Sequence, residues 1–326
     1  NNRGGTTTTN SDPCSSTNGV ILSQDQIDLA DILECFNDNN TAQNPIIGPW
    51  LNDQLSPENR ENTYLSDIAN FLEESDCSLD ARNFTNEAIE AIINGAEVDW
   101  EEQIINELTD ECAKNIFKSI KNETGLGPTV DSSITQSFTL SGEILNMFDS
   151  SDKFSYTIKN GTYSNNANTT TSGNTFTTTI SDEYLGKGTK LSIARTMIHE
   201  SVHAHILNNI KPRVNPSFYE DIKYYAEKYG YSDANRYHHE FMAKYIKAMA
   251  VSLYTWDKNN GGGNLDWDYY EAMAYGGLYY KDSNGNITET DSFKVLEPLK
   301  IHRDRIRQIL FNEQEGNANA KGHKCN

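Results

Sequence analysis

Residues Gly188–Ile210 read GTKLSIARTMIHESVHAHILNNI, and within them His199, Glu200 and His203 form the pattern HExxH. Apolar Leu191, Ile193, Ala194, Met197, Ile198, Val202, Ile206 and Leu207 recur at helical spacing, with Thr189 or Ser192 available as N-cap, so the spacing predicts a largely buried helix. On such a helix two histidines four residues apart stack on one face, and their imidazoles can converge on one ion. Glu200 lies about 100° round the helix from His199, where it can reach a water on that ion without ligating the ion itself. Burying two imidazoles and a carboxylate together is costly without a cation. The pattern therefore points to Zn2+ held by His199 and His203, with Glu200 as the catalytic general base.

A catalytic zinc takes three protein ligands and leaves one position open, so a third ligand is expected from elsewhere in the chain. The other histidines are His205, His238, His239, His302 and His323. His205 is turned away by its two-residue offset from His203, and His323 lies in a polar tail. His238 and His239 belong to Asp233–Trp256, whose Met242, Tyr245, Ile246, Met249 and Leu253 form an apolar side opposite Glu240, Lys244 and Lys247. A helical wheel sets His238 nearer the centre of that side, with His239 beside it, and Glu220 is a further candidate.

Bulk properties exclude several classes. The chain has 326 residues and a net charge of −20, with no cluster of Lys and Arg, which argues against nucleic acid or anionic lipid as a partner. No apolar run approaches the roughly 18 residues of a membrane span. Five cysteines, Cys14, Cys35, Cys77, Cys112 and Cys325, include no CxxC pair, against a zinc knuckle or a dithiol redox motif. Disulfides are open to it, and the odd count leaves one cysteine over. Cys14 and Cys325 fall in polar terminal stretches where pairing between chains would be easy. The start at Asn1, without Met or an apolar leader, suggests a processed product or a piece of a longer polypeptide.

Four regions follow from composition and periodicity. Residues 1–19 are rich in Gly, Thr, Ser and Asn and read as a flexible linker. Residues 20–122 read as a helical domain. Ser23–Gln26 has the form of a capping box, and helices are expected through Leu65–Leu72 and Phe84–Ile93, the latter closing at Gly95. A longer helix is expected from Asp99 and Glu102 through Ile104, Ile105, Leu108, Ile116, Phe117 and Ile120. Lys121–Val130 reads as a hinge. Residues 123–312 carry strand patterns at Ser137–Leu140, Phe154–Lys159 and Thr175–Ile180, the last two separated by the Asn/Thr/Gly-rich stretch Asn160–Asn174, then the HExxH helix, and residues 313–326 form a polar tail. The strand Thr175–Ile180, nearest in sequence to that helix, is expected as an edge offering free backbone groups to a peptide.

Three runs add a resemblance: RTMIHESVHA at 195–204, HEFMAKYI at 239–246 and YYEAMAYGGL at 269–278. Together they resemble zinc metallopeptidase domains found at the C-terminal ends of large secreted or toxin-like proteins of the Bacteroidetes. The runs CSLDARNF at 77–84 and EVDWEEQIIN at 97–106 resemble the helical segment that precedes such domains. The resemblance implies an α+β, zincin-like metallopeptidase domain preceded by a small helical domain. It also implies secretion, or delivery out of the producing cell. A His three residues before a Met is the third ligand in that group, which selects His239 here, although the doubled His238-His239 departs from the pattern.

The expected function is zinc-dependent hydrolysis of a protein or peptide substrate, with Glu200 taking a proton from water and returning it to the leaving amine. Tyr275, or its neighbours Tyr269 and Tyr270, is a candidate donor to the transition state. Two alternatives from other classes are a zinc-stabilised binding or adhesion module without turnover and a zinc amidase acting on a cell-wall substrate.

Overall fold

The computed structural model describes residues 23–36, 44–59, 62–123, 154–209, 246–281 and 287–325, which contain both helices and strands and divide into two compact units, 1–77 and 78–326. Residues 1–19, the strand expected at Ser137–Leu140 and the residues His238, His239 and Glu220 lie outside the described set.

The first unit is helical: α1 (Gln24–Cys35), α2 (Ile47–Asp53) and α3 (Tyr64–Glu74). The capping box forms as the sequence suggests, since the Ser23 hydroxyl accepts from the Gln26 backbone N–H and the Gln26 side chain accepts from that of Ser23. Leu29 and Ile32 of α1 and Leu65, Ile68, Phe71 and Leu72 of α3 are buried as the two helices pack together. A disulfide from Cys35 to Cys77 ties the end of α1 to the segment after α3.

The second unit opens with α4 (Leu79–Ile93), which ends at Gly95 with φ +86°. There follow β1 (Glu97–Asp99), β2 (Ile104–Glu107), α5 (Glu111–Lys121), β3 (Ser155–Gly161), β4 (Ala167–Ser172), β5 (Thr175–Ser181), α6 (Asp182–Lys187) and α7 (Lys190–Asn209). The chain continues through α8 (Ile246–Asn259), α9 (Trp267–Ala274), β6 (Tyr279–Lys281), β7 (Ile287–Glu289), α10 (Asp291–Leu296) and α11 (Lys300–Glu315).

Two expectations fail here for the same reason. Ile104 and Ile105 are not the start of a long helix but part of β2, and the helix behind them opens at Asp110, whose carboxylate accepts from the Ala113 N–H at 2.7 Å. The strand exists because Ile104–Glu107 pairs in parallel with Tyr156–Lys159, some fifty residues away, a contact that no local apolar period can report. With β1 and β2 in the sheet, residue 122 does not divide the compact units: residues 78–122 of the helical region belong to the same unit as the strands that follow.

The five-stranded sheet runs in the order β1-β2-β3-β5-β4. β2, β3 and β5 are parallel, while β1 and β4 pair antiparallel to β2 and β5. β5 is therefore bonded on both sides, and the edge role expected of Thr175–Ile180 passes to β4, which no other described strand joins on its far side. Composition misled at this point, because a Thr/Asn stretch that resembles a loop completes a hairpin about Gly173, at φ +58°.

Sheet residues Tyr156, Ile158, Phe176 and Ile180 share one core with Ile116, Phe117 and Ile120 of α5 and with Ile193, Ala194, Met197 and Ile198 of α7. Met249, Leu253 and Trp256 of α8 and Tyr270 and Met273 of α9 complete it. α7 is thus enclosed, with residues on every side of it buried from Leu191 to Val202.

The C-terminal stretch is structure rather than tail. α11 runs through the expected boundary at 312–313 and ends at Gly316, which is left-handed at φ +52°. Beyond it the chain returns to the start of α7: the Lys190 N–H donates to the His323 carbonyl at 2.7 Å, and Thr189 bridges to Lys324. Fully buried Glu313 holds the junction, its carboxylate accepting from Thr189 Oγ1, from Tyr269 Oη at 2.6 Å and from the Lys321 and Gly322 N–H groups. Cys325, at a terminal position open to pairing between chains, pairs instead with Cys112 within the chain, Cα atoms 5.8 Å apart.

Candidate metal centre

α7 brings His199 and His203 together as the four-residue spacing requires, with Nε2 atoms 2.9 Å apart. One ring nitrogen of each histidine and one Glu200 carboxylate oxygen lie within 4.8 Å of one another. His199 and Glu200 are buried and His203 is largely so. Burial pushes the His203 pKa down, with the Glu200 charge opposing it, so the neutral imidazole that a metal needs is the favoured form. Two imidazoles converging in one shielded place, with a carboxylate beside them for the water, suit a divalent ion, and the residues present are compatible with zinc.

Helix start and helix surroundings fix this geometry. The Thr189 hydroxyl accepts from the Ser192 N–H at 3.1 Å as the N-cap. The Tyr184 hydroxyl, buried between sheet and helix, bonds Ser192 Oγ at 2.7 Å and Thr196 Oγ1 at 3.0 Å. Over the other side lies the turn Gly276-Gly277. A Cβ at Gly277, where φ is +94°, would stand 2.6 Å from His199 Cε1, and one at Gly276 would stand 2.7 Å from Arg195 Nη1. Only glycine lets the backbone lie this close to the two side chains.

The Glu200 carboxylate is held from the sheet. Thr169 Oγ1, on β4, donates to Glu200 Oε2 at 2.6 Å. Behind it, Thr178 Oγ1 lies 2.7 Å from Thr169 Oγ1, and the Tyr156 hydroxyl donates to Thr178 Oγ1 at 2.8 Å. Because the carboxylate can only accept and Thr169 must donate to it, the sense of the chain follows: Tyr156 to Thr178 to Thr169 to Glu200. Burial raises the Tyr156 pKa, which keeps the far end of this chain protonated.

A cleft of about 940 Å³ opens beside these groups. Its walls include Asn165–Thr169 at β4, Arg195, Thr196, His199, Glu200 and His203 of α7, Gly277 and Tyr279, and Arg307 and Phe311 of α11. The tyrosines expected as donors do not line it. Tyr275 packs on Phe293 and faces a second, acidic cavity with Glu271 and Glu297, while Tyr269 and Tyr270 donate to Glu313 and Asp257. The tyrosine of that run on the cleft wall is Tyr279, whose pKa burial raises against the opposing charges of Arg195 and Arg307.

Sequence reasoning passed over Thr169, Arg195 and Gly277. Arg195, four residues before His199, could have been found from helical spacing alone. Thr169 could not, since nothing in NTTTS at 168–172 distinguishes one threonine from its neighbours. Comparison of the chain with protein-family models, with curated proteins and with solved structures finds no match.

Proposed function

We propose that this chain is a zinc-dependent peptidase, with His199 and His203 as ligands from α7 and His239 as the third; His238 and Glu220 are the alternatives. The observation that carries the reading is the Glu200 carboxylate, fixed by Thr169 beside the two imidazoles at the wall of an open cleft. A bound zinc would supply Lewis acidity, polarising a carbonyl and bringing a water within reach of proton loss near neutral pH.

The chain's own residues do the rest. Glu200 accepts a proton from the attacking water on the oxygen that Thr169 does not hold, then delivers it to the leaving amine. β4 offers its free backbone edge along the cleft, where an extended peptide can add as a further strand. Such a strand would carry its scissile bond past Glu200. The two intrachain disulfides favour an oxidising compartment and fit a protein secreted or delivered out of its cell.

The test is zinc stoichiometry together with cleavage of casein and of a peptide panel by the native chain and Glu200→Gln. One zinc per chain and a loss of turnover of roughly 10²- to 10⁴-fold in the variant, with zinc retained, are expected. Unchanged cleavage in Glu200→Gln removes Glu200 from the mechanism. Bound zinc without cleavage of any peptide favours a binding module, and cleavage of cell-wall fragments alone favours the amidase.

A further inference from the structure

Among the charged residues of the cleft wall that the proposed chemistry does not use, Arg195 differs from the rest in having no partner among the described residues. Arg195 sits on α7 one turn before His199 and forms part of the same wall. It is only 6% exposed, and its Nε and Nη2 are shut off from solvent without a hydrogen-bond partner. Among the described residues it makes no ion pair.

Several other buried or half-buried cations of this unit are satisfied. Arg303 Nε donates to Glu289 at 2.9 Å and Nη1 to the carbonyls of Glu297 and Pro298. Arg307 pairs with Glu289 and Asp304, and Lys121 with Asp99 and Glu102. Acidic partners are not scarce in a chain with 47 Asp and Glu against 27 Lys and Arg. Leaving a guanidinium buried and unpaired costs several kcal/mol, which a fold tolerates where a ligand completes the pair. Gly276, whose backbone lies against the guanidinium, keeps space for it that any larger residue would take.

We propose that Arg195 is an anion-recognition residue for a carboxylate of the molecule bound in this cleft. The identity of that molecule as a peptide rests on the peptidase reading; the existence of the anion subsite does not. A guanidinium binds a carboxylate through charge-assisted hydrogen bonds, shorter and stronger than those between neutral groups. Residues four apart on a helix are about 5–6 Å apart at Cβ, and an extended peptide advances about 3.4 Å per residue. The carboxylate therefore belongs to a residue at, or next to, the bond that is cut. The substrate class is peptides with an acidic side chain there, or with their C-terminal carboxylate there.

The experiment uses the full chain, metal-free so that an ion cannot itself hold the anion. Calorimetry and thermal shift are measured with N-acetyl-leucine, with N-acetyl-glutamic acid α-amide and with neutral N-acetyl-leucinamide, on the native chain, Arg195→Met and Arg195→Lys. A carboxylate probe is expected to bind the native chain roughly 10- to 100-fold tighter than the neutral amide, a preference lost in Arg195→Met and reduced in Arg195→Lys. Whichever carboxylate probe binds better identifies a terminal or a side-chain source. Without ligand, Arg195→Met is expected to melt higher than the native chain, because it no longer buries an unpaired charge. Equal binding of amide and carboxylates by the native chain overturns the proposal, as does a preference that survives in Arg195→Met or a lower melting point of that variant. If Arg195→Met does not fold, Arg195→Lys decides, and an undiminished preference there overturns it. None of these readouts requires turnover, so a failed peptidase assay leaves the result readable.

Discussion

Thr169 and Gly277 decide whether Glu200 and His199 stand where the chemistry needs them, yet neither is itself reactive. Thr169→Val keeps the shape and removes the donor to Glu200 Oε2. Turnover should fall roughly 10- to 100-fold with zinc stoichiometry and melting temperature little changed, and Thr169→Ser should restore most of it. A fall in zinc content equal to the fall in activity would assign Thr169 to folding of the site rather than to the base. Gly277→Ala puts a methyl against the His199 ring at a backbone angle that L side chains rarely adopt. A loss of about 1–3 kcal/mol in stability and a weaker zinc affinity are expected, measured by chemical denaturation and by titration with a chelator. At this scale the sequence was legible where periodicity is rigid. Four residues along a helix leave His199 and His203 no freedom, whereas the hydroxyl chain to Glu200 crosses three strands and a helix, and no spacing encodes it.

The same division holds for elements. α7, α1 and α3 are readable because a helix is written in adjacent residues, with caps such as Ser23 and Thr189 marking its start. β2 was read as helix because its parallel partner Tyr156–Lys159 is remote in sequence, and β4 was read as loop because Thr and Asn serve strands and turns alike. The last element, α11 with its returning tail, was misread because its polar residues face inward: Glu313 and Asn312 are buried. The tail acts as a brace on the N-terminus of α7 through Thr189 and Lys190. Replacing Cys112 and Cys325 together by serine should therefore lower stability by roughly 2–5 kcal/mol, seen as a lower melting temperature, and loosen zinc binding along with it. Glu313→Gln tests the brace without touching the disulfide, and an unchanged melting point in that variant would show that the carboxylate contributes little.

Taken whole, the proposed centre would couple metal, protons and folding. Burial lowers the His203 pKa below its ordinary 6.5, so below that pH the unfolded chain takes up a proton that the folded, metal-free chain refuses. This contribution to stability is full above pH 6.5 and is lost as the pH falls below it, down to the point where folded His203 also protonates. The melting temperature of the metal-free chain should drop between about pH 7 and pH 5 more steeply than that of His203→Asn. Zinc bound as proposed would oppose the loss: at a thousandfold excess over its Kd it would add about 4 kcal/mol at neutral pH, an increment that would shrink in acid as ligands are protonated. The bond between Cys112 and Cys325 closes a covalent ring that contains β4 of the cleft's wall and the whole of α7. A protease nick anywhere inside that ring leaves the fragments on one covalent frame, so a cut chain migrates as a single band until a reductant is added. For a protein exposed to its own or foreign proteolysis, such closure separates being cleaved from being lost.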